Sequence, residues 1–153
     1  MNAYLATDFA SFCAEQDARN TLQLNVTKWV WQLCDALRQN YIDYSIRSHQ
    51  RSFTTTDRPE LMLHHAQQIE KLEKGICDYD FTFESGKKYH KLIMNANGSR
   101  SVHAFVDKKT GEVYKSASWK SPAKGVRYDL RLIEQREWLM QNADWCGGYL
   151  YAR

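Results

Sequence analysis

Tyr79-Asp80-Phe81-Thr82-Phe83-Glu84 alternates apolar and polar residues with period two, and Ser85-Gly86 ends the run. That alternation is the pattern of a half-buried strand. Tyr89 to Ala96 reads as a second strand, and Asn97-Gly98 follows it. Both turn residues tolerate positive φ, so the pair predicts a two-residue hairpin loop. Ser101 to Asp107 reads as a third strand. Lys108-Lys109-Thr110-Gly111 reads as a tight loop with its glycine left-handed, and Glu112 to Ser118 as a fourth strand. Short successive turns imply an antiparallel meander over residues 78–118.

The hairpin loop predicts a register in which Ile93 faces Val102, Leu92 faces His103 and His90 faces Phe105. A pairing of Asp107 with Glu112 sets Phe105 against Tyr114 and Val106 against Val113. One sheet face then carries Ile93, Val102, Ala104, Val106, Val113 and Ala117, small and aliphatic, suited to packed helices. The other carries His90, Leu92, His103, Phe105 and Tyr114, rich in rings and bounded by lysines, suited to a ligand.

The chain before the sheet, residues 1–76, reads as mainly helical. Ala3 to Gln16 spaces Leu5, Phe9, Phe12 and Cys13 as a helix does. Asn25 is a plausible cap for a second helix bearing Val26, Trp29, Val30, Leu33, Leu37 and Ile42, with Asn40 near its end. Ser45 to Thr56 reads as a polar connection. Asp57 as N-cap, Pro59 in the first turn and Gly75 as a stop bound a third helix. Beyond the sheet, residues 119–153 read as a basic loop, a helix capped by Asp129 with anchors Leu130, Ile133, Trp138 and Leu139, and a tail able to add a short strand. The expectation is one α+β domain over residues 1–153: N-terminal helices, a four-stranded antiparallel meander and a C-terminal helix.

Charge is polarised along the chain. Residues 87–131 hold eleven Lys or Arg against three acids, a local net of +8, within a chain whose total is +3. Such a field attracts polyanions. Tyr89, His90, His103, Phe105, Tyr114, Trp119 and Tyr128 are interleaved with the cations, which suits phosphates and bases together. The N-terminus lacks the basic and apolar regions of a signal peptide, and no run of 18 apolar residues occurs. The four cysteines, 13, 34, 77 and 146, form no Cys-x-x-Cys and are expected to be reduced and mostly buried. A cytoplasmic protein follows from these signals.

Three segments carry a resemblance: Tyr89-His90-Lys91-Leu92-Ile93; Arg100 to Lys115, reading RSVHAFVDKKTGEVYK; and Ala117 to Tyr128, with the distinctive Trp119-Lys120-Ser121-Pro122-Ala123-Lys124-Gly125-Val126-Arg127. Together they resemble a family of small uncharacterised tailed-bacteriophage proteins. The resemblance centres on residues 89–128 and implies a phage product acting in the host bacterial cytoplasm. It implies no chemistry.

The Trp119–Tyr128 loop is the leading candidate site, because it can offer several cations and backbone N–H groups to phosphate. Its bland reading is a solvated connection whose rings plug the core. It is not a Walker A loop. His90 and His103, on one face in the expected register, suit stacking, acid–base work or a metal, but lack the further ligands a metal needs. Adjacent His64 and His65 cannot chelate at i, i+4. Asp78, Asp80 and Glu84 share a strand face and could hold magnesium, though acids on an edge strand commonly guard against aggregation. Cys146 has no evident partner for nucleophilic work. Trp29 and Trp31 lie on different faces of one helix, so one is free to meet another protein.

The expected function is non-enzymatic nucleic-acid binding, to DNA or RNA, in host takeover or phage nucleic-acid metabolism. The expected site is Lys87, Lys88, Arg100, His103, Phe105, Lys108, Lys109, Tyr114, Trp119, Lys120, Lys124 and Arg127. No cofactor, metal or membrane is expected. The alternatives are a module that inhibits or redirects a host enzyme, and a small nuclease built on His90, His103 and nearby acids.

Overall fold

The computed structural model describes residues 2–151, with side chains from Phe9 onward. The expected anchor Leu5 lies outside those side chains. The N-terminal half holds two helices rather than three. α1 runs unbroken over Asn2–Thr55, 54 residues, through both the expected break at Asn40 and the expected connection from Ser45. The reason is compositional: residues 2–55 contain no Gly and no Pro. Asn and Ser favour caps but do not by themselves end a helix. Asn25 caps nothing: it is an exposed residue inside α1. Asn40 sits mid-helix, and its side-chain oxygen accepts the Trp145 backbone N–H at 2.9 Å.

α2 spans Pro59–Glu73, with Arg58 rather than Asp57 as its N-cap and no side-chain capping bond. Its end is as expected: Gly75 follows with φ 81°, and the Gly75 and Ile76 amides donate back to Leu72 and Lys71 carbonyls. α2 folds back along the second half of α1, where the Arg38 guanidinium donates to the Gly75 carbonyl at 2.6 Å.

The sheet is antiparallel in the order β1-β2-β3-β4-β5, with β1 Tyr79–Ser85, β2 Tyr89–Ala96, β3 Ser99–Asp107, β4 Glu112–Lys115 and β5 Tyr128–Asp129. A fifth, two-residue strand thus extends the expected four. Asn97 and Gly98 both have positive φ, 50° and 83°, as a two-residue hairpin of this twist requires. Ile93 pairs with Val102, Phe105 with Tyr114 and Val106 with Val113, all as expected.

Two expected pairs are displaced. Leu92 faces Ala104 and His90 faces Val106, because the register shifts between Leu92 and Ile93. His103 is the extra residue of a β-bulge, and a one-residue insertion exchanges the faces of everything beyond it. The helix-covered face is therefore Phe81, His90, Leu92, Ala104, Val106 and Val113, and Phe105 and Tyr114 point the other way.

Val26, Val30, Leu33 and Leu37, spaced by four, three and four, lie fully buried against this face. Each such side chain contributes about 1.5–3 kcal/mol. α3, Ile133–Asn142, closes the far end with Leu139 buried. Of its expected anchors, Leu130 and Leu139 are core, whereas Ile133 and Trp138 are exposed. Asp129 does not cap it; its carboxylate pairs with Arg131, and its amide donates to Gln135 Oε1.

The tail forms a single 3-10 turn, Gly148–Leu150, not a strand, and buries Tyr149 and Leu150. Trp145 stands edge-on to Tyr41 and Tyr79, themselves stacked at 4.1 Å. Among the described residues the four cysteines are free, but Cys13 and Cys146 are exposed, against the expectation of mostly buried thiols. Burial pushes the Cys34 thiol up to about 12. No helix of the described residues is long and apolar enough to cross a membrane.

Candidate nucleic-acid interface

The sheet face turned away from the helices is organised by one cross-strand row. Lys91 of β2 pairs with Phe105 of β3, which pairs with Tyr114 of β4. Tyr89, two residues before Lys91, lies edge-on to both Phe105 and Tyr114. After β4 the chain does not leave this face. Ser116 bridges to Pro122, and the intervening turn swings Trp119 over the sheet. There the Trp119 ring meets Lys91 Nζ at 4.6 Å and the Arg100 guanidinium at 5.4 Å. Contacts of this type contribute about 0.5–1 kcal/mol when exposed. Arg100 is also paired with Glu84.

That fold-back brings Lys120 to the β1–β2 turn. Lys87, Lys88, Lys91 and Lys120 line one cleft of about 320 Å³, floored by Tyr89 and Phe105. Among the described residues none of these four lysines is in an ion pair. Glu84, paired with Arg100, also lines the cleft. The four lysines, from the β1–β2 turn, from β2 and from the basic loop, repel one another, and an anion between them relieves that repulsion. Lys108 supports the rim, its ammonium donating to the Gly86 carbonyl at 2.9 Å.

The remaining expected residues are placed elsewhere. Phe105 is 2% exposed, and His103 is half-buried, with its ring held through Nε2 on the Tyr149 hydroxyl at 2.7 Å. Phe105 has no free face for a base, and the His103 ring is turned against Phe81 and Tyr149. Tyr114 is half-buried. Trp119 is 42% exposed. Lys109 faces α1, lining a separate cleft with Gln16, Arg19 and Gln23.

Lys124 is exposed at the other end of the loop. Arg127 is committed to backbone: Nε donates to the Leu150 carbonyl at 2.6 Å, and Nη1 to the Lys124 and Gly125 carbonyls. It clamps the loop to the C-terminal turn. Gly125 sits there at φ 95°, a conformation that strains any residue with a Cβ, and a Cβ would also displace the Arg127 guanidinium 2.9 Å away. Lys91 is the residue that sequence reasoning passed over. Its signal was present: it shares a strand face with Tyr89 at period two.

His90 and His103 do not form a pair. His90 is 3% exposed under α1, with Nδ1 on Ser85 Oγ at 2.7 Å and Nε2 on Thr27 Oγ1 at 3.4 Å. Burial lowers its pKa, and the Lys108 charge adds to the effect. Of the acids, Asp80 pairs with Arg38 and Glu84 with Arg100. Among the described residues no group of three or more His, Cys, Asp or Glu is placed to hold a metal. His64 and His65 meet His49 of α1, with the His49 and His65 Nδ1 atoms 2.8 Å apart. Trp29 lies under the Arg136 guanidinium at 4.2 Å, and Trp31 stays exposed beside Phe83.

Residues 9–152 match a family described as a family of unknown function (DUF7717). No curated protein and no solved structure matches the chain.

Proposed function

The chain belongs to the DUF7717 family, whose function is unknown, and we propose that it binds nucleic acid through the lysine cleft on the outer face of its sheet. The observation that carries this reading is the convergence of Lys87, Lys88, Lys91 and Lys120 on one cleft without ion-pair partners among the described residues. Ammonium groups at close spacing neutralise successive phosphates, and Trp119 at the edge of the same face offers a ring to a base. Lys108 and Arg100 extend the positive rim; Lys124 marks the path along the loop. Contacts of this kind fix position along a backbone and carry little sequence information.

The resemblance of residues 89–128 to tailed-phage proteins supports a setting in a bacterial host cytoplasm, in host takeover or phage nucleic-acid metabolism. A second reading, a module that engages a host protein, is favoured by one feature. Phe9, Phe12, Leu24 and Trp31 are large apolar residues left exposed along α1.

The test is fluorescence anisotropy with single- and double-stranded DNA and RNA across a salt series. Binding through the cleft weakens steeply with salt, and replacing the four lysines by alanine weakens it and flattens that salt dependence. A protein partner instead survives nuclease treatment in a pull-down, and removing the lysines leaves it in place.

A further inference from the structure

A second cleft, of about 560 Å³, opens at the far end of the basic loop between Val126–Tyr128 and α3. Its size suits a single small planar ligand. Trp138 forms one wall. Tyr128 is stacked against that indole, with ring centres 5.5 Å apart and planes 20° off parallel, and it is held by its own hydroxyl donating to the Tyr149 carbonyl at 2.6 Å. The wall is therefore a fixed, flat platform. Trp138 keeps 41% of its surface exposed and Tyr151 keeps 65%, so two of the four rings that line the cleft are presented to solvent, with Tyr128 and Tyr149 behind them.

The polar groups are few and of defined character. Glu134 lines the cleft and, among the described residues, has no ion-pair or hydrogen-bond partner. Gln135 has its carbonyl oxygen taken by the Asp129 amide, which leaves its NH2 to donate. Arg127 has Nε and Nη1 committed to backbone carbonyls. A guanidinium fixed in the wall disfavours a cationic ligand. A flat wall favours a planar ring. An acceptor-only carboxylate beside it favours a ring edge that presents adjacent N–H donors, as the Watson–Crick edge of guanine does.

We infer that this cleft binds an unpaired guanine base, stacked on Trp138 and bonded through its N1–H and exocyclic amine to the Glu134 carboxylate. The inference rests on the nucleic-acid reading of the lysine cleft and deepens it. The loop from Lys120 to Tyr128 joins the two clefts, one for phosphates and one for a base, which selects single strands, because a duplex hides that edge of guanine.

Two probes separate the claims: guanosine and adenosine 5′-monophosphates by calorimetry, and twelve-residue uridine oligomers with or without a central guanosine by anisotropy. The expected result is at least tenfold tighter binding of the guanine-bearing member of each pair. Glu134→Gln, which changes an exposed residue isosterically, should reduce that preference to under twofold. Trp138→Ala should weaken the guanine-bearing probes about five- to a hundredfold, on the scale of base–aromatic stacking.

Oligomers that bind through the lysines with no base preference overturn this inference and leave the lysine reading standing. A guanine preference that survives Glu134→Gln overturns the carboxylate contact and with it the inference. Guanosine monophosphate binding that Glu134→Gln abolishes, with no lysine-dependent oligomer binding, upholds this cleft and contradicts the lysine reading.

Discussion

His103 sits where β3 carries one residue more than β2, and its imidazole is turned in against Phe81 and Tyr149. Burial lowers its pKa from 6.5 to about 4, with Asp144 acting weakly the other way. The folded state thus holds this ring neutral while the unfolded chain protonates it near pH 6.5. Its contribution to stability is complete above pH 6.5 and is lost as the pH falls from 6.5 to about 4, at most about 3 kcal/mol. Burial lowers the pKa values of His49 and His90 too, so they add loss of the same sign on acidification. Urea unfolding at pH 7 and pH 4.5 should show that loss, and His103→Phe should remove about 2 kcal/mol of it on the same scale. An unchanged pH dependence in the variant would mean His103 titrates normally. The sequence placed His103 among surface rings because strict alternation carries no mark of an inserted residue. The bulge turns His103 in against Phe81 and Tyr149, contacts with residues far away in sequence that local pattern does not record.

At the scale of elements, α1 and the basic loop depart most from expectation. The apolar stripe Val26, Val30, Leu33 and Leu37 was legible, and so was the meander. The continuity of α1 was legible only as an absence, since no Gly or Pro interrupts residues 2–55. Arg47 distinguishes the readings: it lies in the expected polar connection yet is an exposed mid-helix residue of α1. Arg47→Pro should cost about 3 kcal/mol or more by denaturant unfolding, whereas in a flexible connection it would be near neutral. Leu33→Ala, at a fully buried position, should cost about 2–5 kcal/mol in the same assay. For the loop, composition indicated cations and a ring. It gave no hint that Lys120 and Arg127 would part company, one to the lysine cleft and the other to the Leu150 carbonyl. That division depends on where the C-terminal turn docks, some twenty residues further along the chain.

For the whole molecule, the polarised charge of the sequence becomes a polarised surface. α1 covers one side of the sheet, and Lys87, Lys88, Lys91 and Lys120 gather on the other, while Lys109 turns to α1. The twelve residues expected to form one site divide between a lysine cleft, the loop's far end and the interior. Strand periodicity assigns faces but cannot say which turn a loop returns to. In the proposed function the four lysines act together on a phosphate backbone. Among the described residues none of the four is in an ion pair, so replacing Lys87, Lys88 and Lys120 should leave unfolding stability within about 0.5 kcal/mol per site, and removing the Lys91–Trp119 contact should cost about 0.5–1 kcal/mol. The direct measurement is the salt dependence of oligonucleotide anisotropy for the native chain and for the variant with Lys87, Lys88, Lys91 and Lys120 changed to alanine. The native chain should bind with a steep logarithmic salt slope, and the variant's slope should be shallower by about 3, near 0.7–0.9 for each phosphate contact removed. Equal slopes and equal affinities for the two proteins would contradict the account.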